Sequence, residues 1–338
     1  MNAPRHSLQA IRAERLGFER QRGLTLIELM VGMVIGVVLS LAAASLYLAT
    51  RESSRSSQSI SDVNETGKIA LDMIGREIQK AGFYPAQFGT TSVLSNYAGA
   101  YYNGKPGANV RFNSGIFGCA GAKYLPATST CAATAAGQPD TIIVNYFATP
   151  EFGADSLLGN TNDCNRKPVA DDADNALRVG ANMPLFVSNR FGIVDGESFV
   201  DSDRNTVTAK SLGCHGNGDE AQTAAQRALE GVEDLVIRYG IYRAGLTQSP
   251  EGFLTATQVN AEVPFVVDGR TAWQRVVAVS VCVVVRSTIN TRQDDKPGQV
   301  RTYRNCRGAT PDLPAGNRYI YKSFERVYAV RNNLSGIL

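Results

Sequence analysis

From Leu29 to Ala49 the chain carries no charged residue. As a helix, such a run is long enough to cross the hydrocarbon of a bilayer, which takes about 20 residues. In lipid every main-chain polar group must be satisfied within the segment, so a single apolar run of this kind must be helical. Two features in front of it are unusual. Glu28 stands at its edge, where a carboxylate is costly unless it is paired. Arg20-Gln21-Arg22-Gly23 has the look of a processing site, but on the N-terminal side of the apolar run. A secretory signal is cut on the other side, after its apolar stretch. A cut after Gly23 keeps the helix and creates a new amine at Leu24, close to Glu28. In lipid-like surroundings that amine and that carboxylate each need a partner. Pairing within one chain would satisfy both locally, and pairing between neighbouring chains would also fix their axial register.

Charge supports this orientation. The chain has a net charge of +3. Residues 1–23 hold Arg5, Arg12, Arg15, Arg20 and Arg22 against Glu14 and Glu19, so all of the excess lies ahead of the apolar run. By the positive-inside rule the N-terminus is cytoplasmic and the body is exported. With the leader set aside the remainder is balanced, which gives no global argument for nucleic acid.

All 6 cysteines fall in the exported part: Cys119, Cys131, Cys164, Cys214, Cys282 and Cys306. An even number beyond a membrane anchor reads as disulfides formed in an oxidising compartment. The sequence alone leaves their connectivity open. Sequential pairing, in which each bridge closes a local loop, is the expectation. Zinc is disfavoured, because there is no Cys-x-x-Cys and only His215 lies outside the leader. His215 adjoins Cys214, but neighbours on a strand face opposite ways, which argues against a Cys/His catalytic dyad. No Gly-x-Ser-x-Gly or phosphate-binding loop is present. Asp201, Asp203 and Asn205 alternate as at the start of a calcium loop, and Asp171, Asp172 and Asp174 form a second acidic cluster. The turn glycine and later bidentate glutamate of such a loop are missing, so a solvated turn is the simpler reading. No cofactor is expected.

The helical pattern resumes beyond a serine-rich stretch, Arg51 to Gln58, in the stripe Ile60, Val63, Gly67, Ala70, Ile74, Ile78 and Ala81. Gly82 and Pro85 end it. One helix from Leu24 to about Ala81 is predicted, its first half carrying the close-approach pattern Gly32-x3-Gly36. Residues 86–140 read as a turn-rich excursion, with a staple at Cys119 and Cys131 the expectation, and 150–220 as polar loop with a short strand near Met183–Ser188. Strands are expected at Thr141–Phe147, Val232–Tyr242, Trp273–Arg286 and Arg318–Val330. Asp268-Gly269 marks a turn. A long helix followed by strands with polar connections is α+β, an antiparallel sheet laid on the helix. In the last strand Arg318, Tyr319, Tyr321, Lys322, Phe324, Arg326 and Tyr328 interleave as on a nucleic-acid surface. An amphipathic strand with half of these residues in the core is the simpler reading.

Gly23-Leu24-Thr25-Leu26-Ile27-Glu28-Leu29 closely resembles the signal of type IV prepilins and type II secretion pseudopilins. The order of the long helix, Gly82-Phe83-Tyr84-Pro85, large insertions, Val232–Gly240, Arg275–Val281 and a final strand ending Ala329–Asn332 resembles the PilW-type minor pilins. The resemblance implies a leader of residues 1–23, cleavage after Gly23 by a membrane-embedded prepilin peptidase and methylation of Leu24. It further implies a membrane helix half over 24–50, a periplasmic half over 51–85 and a globular head over 86–338. Glu28 matches the glutamate used for recruitment to the growing filament. The implied role is structural and not enzymatic: initiation or capping of a type IV pilus from the inner membrane, in a tip complex. Its implied partners are other minor pilins, the major pilin, the assembly platform and a tip adhesin. The alternatives are a J-type pseudopilin of a type II secretion system and, from another class, a membrane-anchored enzyme or ligand-binding module.

Overall fold

The computed structural model describes residues 23, 25–83, 115–125, 130–148, 162–169, 185–200, 204, 206–218, 225–242, 249–263, 271–290, 301–314 and 317–332. Its first element is a helix of 55 residues, α1, Leu26–Lys80. The serine-rich stretch does not interrupt it. Ser40, Ser45 and Thr50 donate their hydroxyls back to the carbonyls of Gly36, Ala42 and Leu46, so even the polar groups of the apolar half are satisfied within the helix. Gly82 stops α1 in the left-handed region, at φ 72°, and passes its N–H to the Asn145 carbonyl of the head.

Contacts divide the chain into two units, residues 1–53 and 54–338. In the first, the large apolar side chains from Leu26 to Leu48 are exposed. In the second, α1 buries Ser59, Val63, Gly67, Ala70, Leu71, Ile74, Gly75 and Ile78. The predicted stripe is therefore right except at its start: Ile60 is 47% exposed and Ser59 takes the inward position. Steps of four and of three back from Val63 lead to Ser59 and Ile60 respectively, and the head meets the side bearing the serine.

The head is antiparallel. The strands are β1 Ile116–Cys119, β2 Tyr124–Leu125, β3 Thr130–Cys131, β4 Thr141–Ala148, β5 Leu185–Val200, β6 Thr206–His215, β7 Gln226–Glu230, β8 Val232–Ile241, β9 Phe253–Leu254, β10 Val276–Arg286 and β11 Tyr321–Ala329. They form a five-stranded sheet, β1-β4-β5-β6-β7, a four-stranded sheet, β11-β10-β8-β9, and the pair β2-β3. A short helix, α2, Ala256–Ala261, is started by a reciprocal cap between Thr255 and Gln258. Every residue of β10 is buried, which is why its β-branched run read so clearly as a strand. The first residues of the predicted strand, Trp273–Arg275, form a 3-10 turn ahead of it instead.

One glycine carries the chain between the sheets. Gly231, at φ 82°, separates β7 from β8, donates to the Lys210 carbonyl in one sheet and accepts from the Arg286 N–H in the other. Asp140 makes the second link. Its carboxylate accepts from the Gly121 N–H at 2.7 Å and from the Ile237 N–H at 2.8 Å, joining the loop after β1 to β8.

The long β5–β6 hairpin corrects the reading of 150–220 as loop with one short strand. Polar and glycine positions, Ser188, Asn189, Arg190, Gly192, Asp195 and Gly196, break the alternation of β5. Ser188, Asn189 and Arg190 are nevertheless buried. Asn189 is held by its own bonds, donating to Glu77 on α1 at 2.8 Å and accepting from the Cys164 N–H. Within 86–140, β1 was likewise hidden by its short length. Asp268-Gly269 and Pro85 lie outside the described residues.

Candidate functional site

The candidate site begins at the predicted cleavage point. Gly23 is exposed and outside any regular element, and nothing lies within 4 Å of where a side chain would project. Leu24 lies outside the described residues. Thr25 caps α1. Its N–H donates to Glu28 Oε2 at 3.0 Å and its hydroxyl donates to the same oxygen at 2.9 Å. The Glu28 N–H approaches Thr25 Oγ1 at 3.3 Å. This is the reciprocal Thr-x-x-Glu start of a helix, and it also sets a carboxylate at the positive end of the helix dipole. The motif is legible as Thr25-Leu26-Ile27-Glu28, but Glu28 was read from the sequence only as a charge partner, within one chain or between chains, and not as a cap. Both capping residues lie beyond Gly23, so a cut there leaves the cap in place. Gly32 and Gly36 face open space, with nothing within 4 Å.

In the head, the cysteines pair as Cys119–Cys131, Cys164–Cys214 and Cys282–Cys306, with Cα separations of 5.5, 6.3 and 5.7 Å. They tie the end of β1 to β3, the loop at 162–169 to β6, and the segment at 301–314 to β10. Cys214 is thus a bridge and not a nucleophile. His215 accepts at Nδ1 from the Arg190 guanidinium at 3.2 Å. Asp201, Asp203 and Asn205 lie outside the described residues, as do Asp171, Asp172 and Asp174. Among the described residues no group of three or more His, Cys, Asp or Glu side chains is placed to hold a metal.

The interleaved segment around β11 is arranged differently from the expected split. Lys322, Phe324, Arg326 and Tyr328 all stand on the α1 side. Lys322 donates to Asn64 at 2.7 Å, Arg326 meets Asp72 at 3.0 Å, and the Tyr328 hydroxyl donates to the Leu71 carbonyl at 2.7 Å. The Phe324 and Tyr328 rings occupy the space that side chains at Gly67 and Gly75 would need. Alternate residues share one face of a strand, and here that face is committed to the helix.

Burial raises the Asp140 carboxyl above its ordinary range, with the Ile237 and Gly121 N–H bonds and Arg238, at 3.8 Å, pulling the other way.

Residues 199–332 match the family model for Type IV Pilus-assembly protein W. Residues 19–44 match the prokaryotic N-terminal methylation motif. No curated protein matches the chain. Among solved structures it is similar to a type IV-like pilin from Thermus thermophilus, at 10% identity and a TM-score of 0.33, over 80% of this chain and 96% of that one. The methylation motif spans the capped start of the exposed apolar helix, and the PilW match spans most of the strands of the head. The chain thus joins a prepilin-type N-terminal methylation motif on an exposed apolar helix to a region similar to Type IV Pilus-assembly protein W.

Proposed function

We propose that the protein is a non-enzymatic structural subunit that helps to initiate or cap a type IV pilus from a tip complex. The precursor inserts with residues 1–23 in the cytoplasm. The prepilin peptidase cuts after Gly23 and Leu24 is methylated. Residues 24–50 remain in the inner membrane, and residues 51–85 and the head over 86–338 lie in the periplasm. The subunit then joins other minor pilins, the major pilin and the assembly platform. The observation that carries this reading is the exposed apolar half of α1 on a chain that also matches the PilW model. Those side chains need lipid before assembly and other helices after it. A large head with long connections suits an end position better than repeated helical packing. Deleting the coding sequence tests the proposal. Loss of surface pili and twitching with secretion intact is expected. Intact pili with lost exoprotein secretion would place the protein in a type II secretion system instead.

A further inference from the structure

β5 is longer than the sheet that holds it. On one side it pairs with β6 as far as Val200. On the other it pairs with β4 only through Leu185–Phe191, because β4 begins at Thr141. Beyond Gly192 that second edge has no strand beside it among the described residues. A register shift between Asp195 and Ser198 then bends the strand, so the regular open edge is Ile193 to Asp195. An open edge presents main-chain donors and acceptors in a row that another extended chain can take up.

Beside this edge, in line with β4, runs a groove of about 320 Å³. Its other wall is the loop closed by the Cys119–Cys131 bridge. The floor is apolar, with Leu125, Pro139, Ile193 and Val194, and Leu125 is 43% exposed. Lys123 and Lys210 line it, and neither ammonium group has a partner among the described residues. Asp195 supplies one opposing charge. Asp140 also reaches the groove, but it is already held by two N–H groups and lies beside Arg238. The edge therefore selects a main chain, the floor an apolar side chain and the lysines a carboxylate.

We propose that this groove receives a short extended segment of a neighbouring pilus subunit, which adds to β5 where β4 leaves off. An apolar side chain of that segment lies over Leu125 and Val194, and a carboxylate meets Lys123 and Lys210. The inference rests on the pilus reading above.

The test uses the full-length protein in its piliated host. A photo-crosslinking phenylalanine analogue is placed at Leu125, at Ile193 or, as a control, at Val327 on the other sheet. The expected result is an adduct from Leu125 and Ile193, and not from Val327, to one other pilus subunit. Mass mapping should put it in a contiguous extended segment that contains Asp or Glu. Combining the probe with Lys123→Glu and Lys210→Glu, both at exposed positions, should reduce the adduct at least about tenfold while the purified protein keeps its melting temperature. Piliated cells that give no adduct, an adduct unchanged by the double charge reversal, or an adduct to a second copy or to a protein outside the pilus would overturn the inference. Normal pili in the deletion strain would instead overturn the pilus reading itself.

Discussion

At the scale of single residues, Glu28 carries two separable roles. As the partner of Thr25 it starts α1, and under the proposed cleavage its charge would pair with the Leu24 amine. Glu28→Gln separates them, because glutamine also completes a reciprocal cap. Loss of a cap costs about 1 kcal/mol, whereas stranding one charge of a low-dielectric pair costs about 3–5 kcal/mol. Glu28→Gln and Glu28→Ala are therefore both expected to be cut normally and to enter pili far less than wild type, as read by immunoblots of sheared pili. If Glu28→Gln enters at wild-type levels, capping is the whole role of the residue. Asp140 is the other decisive residue. Asparagine there would turn an NH2 group toward Gly121 or Ile237, so Asp140→Asn should destabilise the head by about 1–3 kcal/mol. A carboxyl whose pKa is raised by folding adds most stability below its ordinary value of about 4 and loses it as pH rises through the raised one. On acidification from neutral pH toward 4, the melting temperature of wild type should accordingly fall less than that of Asp140→Asn. Parallel melting curves across that range would refute the assignment.

At the scale of elements, α1 meets the head through two glycines. A methyl group at Gly75 would run into the Tyr328 ring, and overpacking of this kind costs about 1–3 kcal/mol. Gly75→Ala should therefore lower the melting temperature of the purified protein, whereas Gly36→Ala, in open space, should not. The bridges should differ as well. The chain-entropy model gives ~4 kcal/mol for the span of 50 residues closed by Cys164–Cys214 and ~3 kcal/mol for the 12 closed by Cys119–Cys131. Replacing the first pair with serines should thus cost more in denaturant melts than replacing the second. What was legible in the sequence follows the same physics. The α1 stripe and β10 announced themselves because one face, or both, is uniformly apolar. The β5–β6 hairpin did not, because half of it is an exposed ribbon and its buried Asn189 is held by Glu77 and Cys164, far away in sequence. The methylation motif over residues 19–44, which contains Glu28, is linear and could be read directly. The Asp140 link joins positions 97 apart, and no local pattern betrays it.

At the scale of the whole molecule, the chain combines an apolar helix half that cannot rest in water with a head that folds around its own sheets and three bridges. The account stands or falls on whether the precursor is matured and carried into a filament with that helix retained. The most direct measurement is the intact mass and N-terminal sequence of the protein recovered from sheared pili of peptidase-competent cells. The account predicts a chain that begins at a methylated Leu24 and keeps its apolar helix. A protein that is absent from the pili and held in the membrane with residues 1–23 still attached would contradict it.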